Sequence, residues 1–130
     1  MKILFVDDDK AILDALGPLL ESYHHTVITC NDPKEALKLF RDMAAEPFDA
    51  VVTDFNMPGW SGLTLAMHIV SCCAAYEIKC PVVCLTGNRE DATRMNDQSR
   101  NPINLILDKG CPIVDILAGI NSVVRKEAKV

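Results

Sequence analysis

Five short apolar or β-branched runs, Lys2–Val6, Thr26–Cys30, Asp49–Asp54, Pro81–Thr86 and Ile103–Leu107, alternate with segments of helical periodicity. This alternation constrains the fold most, because strands that each give way to a helix pair in parallel and are covered on both faces. The first run is continuously apolar after Lys2, which suits a strand buried on both sides. Right-handed crossovers leave few topologies for 130 residues, a length that fits one domain over 1–130. The expected architecture is α/β: a doubly wound five-stranded parallel sheet in a three-layer α/β/α sandwich, flavodoxin-like, with strand order 2-1-3-4-5.

Ile12, Leu13, Leu16, Leu19 and Leu20 recur at three- and four-residue spacing and predict a first helix over about Lys10–Tyr23, kinked at Pro18. His24 and His25 follow it on an exposed exit. Asp32 is placed as N-cap of the second helix, Pro33 as its first residue and Glu35 as the reciprocal cap, with the helix ending before Pro47. The loop Asn56-Met57-Pro58-Gly59 leads to a third helix starting near Ser61 or Gly62. From Gly87 to Pro102 only Ala92 and Met95 form an apolar stripe, so the fourth helix is expected to be short and marginal. Pro112 opens the last helix, whose inward face is Ile113, Ile116, Leu117, Ile120, Val123 and Val124.

A net charge of -5 argues against direct nucleic-acid binding, which needs clustered Lys and Arg. The longest stretch without Lys, Arg, Asp or Glu runs from Phe55 to Tyr76, but Pro58, Gly59, Ser61, Gly62, His68 and Ser71 interrupt it. It reads as a loop and an amphipathic helix, with no membrane insertion. The start MKILFVDDD passes from a short apolar run into three acids, unlike a secretory signal, and points to a cytoplasmic location. The six cysteines form no C-x-x-C pair and have no histidine at ligand spacing. Cys30 and Cys84 lie in strand patterns, where a thiol acts as a small hydrophobe.

In doubly wound sheets, ligands bind beyond the carboxyl ends of the strands. The residues there are Asp7, Asp8 and Asp9, then Asp54, Thr86, and finally Asp108 and Lys109. Carboxylates that face one another repel unless a cation sits between them, which implies a hard dication. Mg2+ commonly takes one or two carboxylates, water and a phosphate, and suits Asp8, Asp54 and one loop carbonyl. Lys109 and the Thr86 hydroxyl would then offer charge and a hydrogen bond to a transferred phosphoryl group. Taken singly, each residue has a plainer role: Asp54 as turn former, Asp7 as a solvated helix-start charge, Thr86 as a loop cap, Lys109 as a surface cation. The functional assignment rests on their joint positions. Trp60, the single tryptophan, is expected to pack its loop rather than touch substrate.

The segments ILFVDDD, TDFNMPGWSG, PVVCLT and LILDKG resemble the response-regulator receiver family of two-component signalling, its chemotaxis-regulator-like members included, over essentially the whole chain. The resemblance implies that Asp7 and Asp8 are metal-site acids, Asp8 the direct ligand, and that Asn56 gives its backbone carbonyl to Mg2+. It makes Asp54 the nucleophile, accepting a phosphoryl group from a histidine kinase or a histidine phosphotransfer protein. Thr86 corresponds to the switch hydroxyl and Lys109 to the family lysine, while Asn56 and Asn88 flank the site and influence hydrolysis of the acyl phosphate. A downstream protein partner is expected on the face of the fourth helix, fifth strand and fifth helix.

Two positions depart from the family pattern. Ile106 stands where the family has a switch aromatic, and Gly110 stands where a proline follows the lysine. The Lys109–Gly110 peptide is therefore expected to be trans, with a less rigidly aimed lysine. The alternative to a phosphorylation switch is a pseudo-receiver that binds partners without phosphorylation. An aspartate-nucleophile phosphatase is disfavoured because Phe55-Asn56 follows Asp54 where such enzymes carry a second Asp. A nucleotide or flavin binder is disfavoured because Asp7-Asp8-Asp9 repels phosphates.

Overall fold

The computed structural model describes residues 1–128, with side chains described through 126. Five strands, β1 (Lys2–Val6), β2 (Thr26–Cys30), β3 (Ala50–Asp54), β4 (Val82–Thr86) and β5 (Leu105–Asp108), alternate with α1 (Lys10–Glu21), α2 (Pro33–Asp42), α3 (Gly62–Tyr76), α4 (Arg89–Gln98) and α5 (Ile113–Ala128). The sheet is parallel throughout in the order β2-β1-β3-β4-β5, the flavodoxin-like arrangement. Strand direction and register bring Val6 beside Thr53 and Asp54 beside Leu85, so the carboxyl ends of β1, β3 and β4 lie side by side.

The period-two alternation of strand side chains divides the core between the two faces of the sheet. Leu4, Val6, Val51, Val82 and Cys84 pack with Ala36, Phe40, Leu65 and Ile69 of α2 and α3. Ile3, Phe5, Val52, Val83 and Leu85 pack with Leu13 and Leu20 of α1 and with Ile116 and Ile120 of α5. Each fully buried side chain of this kind contributes roughly 1.5–3 kcal/mol of hydrophobic stabilisation. The inward face of α5 is as expected, with Ile116, Leu117, Ile120 and Val123 buried and Ile113 and Val124 partly so.

Several local features differ from the sequence expectations for physical reasons. α1 contains Pro18 and ends at Glu21, two residues short of the expected Tyr23. Pro18 is exposed, so water can serve the carbonyl that its missing N–H leaves open. The Asp32 carboxylate caps α2 by accepting from the Glu35 amide at 3.2 Å, but no return bond from the Glu35 side chain forms among the described residues. β3 starts one residue late because Asp49 is tied to Lys2: its amide donates to the Lys2 carbonyl and its carboxylate accepts from the Lys2 amide, each at 2.7 Å.

The largest difference lies between α4 and β5. α4 has ten residues, the same length as α2, and its inward residues are Ala92 and Asn96, whereas Met95 is exposed. The Asn96 amide accepts from the Ile103 N–H at 2.9 Å and donates to the Ile103 carbonyl at 3.0 Å. These side-chain bonds occupy Ile103, and β5 begins two residues later, at Leu105. Among the described residues, no helix is long and apolar enough to cross a membrane.

Candidate functional site

The site gathers where β1, β3, β4 and β5 end. Asp7 directly follows β1 and is fully buried; Asp54 closes β3 at 6% exposure and Thr86 closes β4 at 1%. Asp8 is exposed beside them. Asp9 caps α1, its carboxylate accepting from the Ala11 amide at 3.0 Å, while its own amide donates to Asp7 Oδ1 at 2.9 Å. The Phe55 amide donates to Asp54 Oδ1 at 2.8 Å. One oxygen of each buried carboxylate is thus held by backbone, and the other is left facing the pocket.

Those second oxygens meet Lys109. Its Nζ lies 3.1 Å from Asp54 Oδ2 and 3.2 Å from Asp7 Oδ2. The Asp7 contact is an ion pair by distance, but it lacks hydrogen-bond alignment, so Asp7 Oδ2 is buried without a donor. Burial, joined by the Asp54 charge, raises the Asp7 carboxyl above its ordinary range, and the Asp9 amide and Lys109 only partly offset this. For Lys109, burial works against the charge, but the hydrogen bond to Asp54 and the attraction of the Asp54 and Asp7 charges outweigh it and hold the ammonium above its usual value.

Oxygens from Asp7, Asp8 and Asp54 all lie within 4.8 Å of one another. Three hard oxygen donors, one of them buried with no hydrogen-bond donor, fit a hard dication such as Mg2+. Asn56 sits exposed in the loop two residues beyond Asp54. Gly62 draws this loop close: its amide donates to the Phe55 carbonyl at 2.7 Å, and a Cβ at this position would collide with the Asp54 carbonyl. Trp60 packs in the loop as expected, its ring stacked on His68 at 4.4 Å between centroids.

Thr86 connects the pocket to α4. Its hydroxyl accepts from the Asn88 amide at 3.1 Å, and its carbonyl accepts from the Lys109 amide at 2.9 Å. Asn88 then caps α4 by accepting from the Asp91 amide at 3.1 Å. The Lys109–Gly110 peptide is trans. Gly110 has no left-handed φ, and a Cβ on it would meet nothing, so glycine's extra freedom is not used there. Ile106 is partly buried against the α2–α3 side of the core. Sequence reasoning treated Cys84 as a strand hydrophobe only, yet it adjoins the site: burial and the Asp54 charge push its thiol up to about 12, which keeps it protonated.

The response regulator receiver domain family matches residues 3–121. The two-component response regulator ORR22 of Oryza sativa subsp. japonica is 33% identical over 107 residues, which are 82% of this chain and 14% of that protein. The chain spans only 11–19% of the length of the plant regulators it resembles. A response regulator receiver domain protein from Clostridium thermocellum has the same fold, with a TM-score of 0.83 at 26% identity over 98% of this chain and 96% of that one. The response regulator TrrA from Thermotoga maritima, solved with Mg2+-BeF, is alike in fold, with a TM-score of 0.75 at 24% identity over 93% of this chain and 96% of that one. A family match over nearly the full chain, on the fold described above, makes this chain a member of the response regulator receiver domain family of two-component signalling.

Proposed function

We propose that this domain is a phosphorylation switch that accepts a phosphoryl group on Asp54 from a histidine kinase or a histidine phosphotransfer protein, in a Mg2+-dependent reaction. The observation that carries this is the Lys109 ammonium, 3.1 Å from the one Asp54 oxygen not held by backbone. That oxygen forms the new P–O bond as the P–N bond to the donor imidazole breaks. The bonding pair stays on the imidazole nitrogen, which takes up a proton from solvent. Lys109 offsets negative charge on the transferred group, and the Thr86 hydroxyl, turned from the Asn88 amide, donates to a phosphoryl oxygen. Mg2+, held by Asp7, Asp8 and Asp54 with the Asn56 backbone carbonyl, would neutralise phosphoryl oxygens and so allow an anionic donor to approach three carboxylates. The phosphorylated domain then acts in the cytoplasm on a downstream protein through the α4-β5-α5 face.

Phosphorylation by a small phosphoramidate donor, followed by intact mass, tests this. Wild type should gain one phosphoryl group in Mg2+, far less in EDTA, and Asp54→Asn none. Labelling of Asp54→Asn to the wild-type extent would overturn the assignment. A wild type that never labels would instead mark a pseudo-receiver. Titrating Mg2+ against Trp60 fluorescence should show a larger affinity loss in Asp8→Ala than in Asp7→Ala, and equal losses would remove Asp8 as the direct ligand.

A further inference from the structure

α3 is a fifteen-residue helix, GLTLAMHIVSCCAAY, without one Lys, Arg, Asp or Glu. Leu63, Leu65, Ala66, Ile69 and Cys72 face the core, but the solvent side is also uncharged: Met67 and Val70 are 49% and 48% exposed, and Ser71, Ala74 and Ala75 lie open beside them. A surface helix normally keeps a charged outer face, and apolar character all round marks a helix with partners on more than one side. The core covers only one side here.

α2, which packs beside α3, supplies the second observation. Lys34, Lys38 and Arg41 fall at four- and three-residue spacing on one exposed stripe. Lys34 fixes the direction of that stripe: its Nζ lies 5.8 Å from the Trp60 ring centroid, and Trp60 stacks on His68 of α3. The acid Glu35 lies on the α1 side of α2, in a cleft shared with Lys10 and Asp14 of α1, and the other exposed acid of the helix, Asp42, stands one turn beyond Lys38. No ion pair engages Lys34, Lys38 or Arg41 among the described residues. In a chain of net charge -5, an uncharged strip is thus bordered by three cations that form no ion pair among the described residues.

We propose that the α2–α3 face binds an acidic amphipathic helix of a protein partner, whose apolar stripe covers Met67, Val70 and Ala74 and whose carboxylates meet Lys34, Lys38 and Arg41. A helix matches the strip because side chains at three- and four-residue spacing on the partner meet the same spacing on α3. An anionic bilayer is the weaker match: interfacial insertion draws on Trp, Phe and Leu side chains, whereas the exposed large apolar groups of α3 are Met67, Val70 and, at its C-terminal end, Tyr76.

Two synthetic helical peptides provide the test, each with leucines at helical spacing, one flanked by glutamates and the other by lysines. Binding is read by anisotropy and by backbone amide shifts. The glutamate peptide should bind about tenfold more tightly than the lysine peptide, weaken with salt and shift amides of α2 and α3. The triple variant Lys34→Glu, Lys38→Glu, Arg41→Glu should reverse the preference, and Lys38→Glu alone should reduce it. Met67→Glu should weaken the glutamate peptide about tenfold. Equal binding of both peptides, no binding, or shifts on other helices would overturn the proposal. So would co-sedimentation with phosphatidylserine vesicles that the triple variant abolishes, or self-association of the wild type that Met67→Glu abolishes.

Discussion

The acidic ends of β1 and β3 and the segment from α4 into β5 meet at Thr86, yet they are held by opposite means. At the acidic end, charges are fixed on short, buried strand termini, where Asp7 and Asp54 face each other across one ammonium. From α4 into β5 the ties are mostly neutral amides: Asn88 on Asp91, Asn96 on Ile103, and Asn104, whose Oδ1 accepts from the Val82 amide at 2.9 Å; the one charged tie, Arg89 to Asp108 at 3.5 Å, is exposed to solvent. The first region cannot move without moving the sheet. The second is a mostly exposed helix joined to an edge strand by a few hydrogen bonds, so it can rearrange at lower cost. Thr86 belongs to both, its hydroxyl on α4's cap residue and its carbonyl on Lys109.

That contrast can be broken most forcefully at Gly62. A methyl group there meets the backbone carbonyl of Asp54, not a side chain that could yield, and Gly62→Ala should cost roughly 3 kcal/mol in urea unfolding. A cost under about 1 kcal/mol would mean that the acidic end is softer than described. Next in size is Asn96→Ala, which leaves the Ile103 N–H and carbonyl without partners. It should cost about 2 kcal/mol and speed hydrogen exchange at Ile103 while leaving exchange in β1 and β3 unchanged. Equal acceleration in all three strands would remove the distinction between the regions.

Asp7→Asn sharpens the comparison with the opposite sign. It removes one of two facing carboxylates from a buried site, so the metal-free protein should gain stability on the order of 1 kcal/mol. The same variant should lose most of the Mg2+-dependent rise in melting temperature. Destabilisation of the metal-free variant would show that the Lys109 pair outweighs the repulsion. The smallest effect belongs to Gly110→Ala, which should stay within about 0.5 kcal/mol of wild type because the added Cβ meets nothing. Gly110→Pro asks whether the lysine is loosely aimed: faster phosphorylation than wild type is expected, and an unchanged rate would show that Lys109 is already positioned by its two carboxylates.

What the sequence determined by itself is local. The apolar runs place β1 and β2 to the residue, Asp32 and Ser61 announce the starts of α2 and α3 through their own side chains, and the β-α alternation leads to a parallel doubly wound sheet. Polar residues just after strands mark the pocket because parallel strands end on the same side. Tertiary structure decided the rest. Nothing near Asn96 in sequence shows that its amide holds Ile103 and delays β5, since that bond depends on where α4 lies against the sheet. Nor does the tripeptide Asp7-Asp8-Asp9 reveal that its first acid is fully buried with an oxygen lacking a donor and its second exposed. Likewise, Lys109 reaches both Asp7 and Asp54 only because the order 2-1-3-4-5 brings three distant strand ends together. Propensity, capping and hydrophobic period act over a few residues, whereas burial and charge pairing depend on neighbours that the chain meets only once the sheet is assembled.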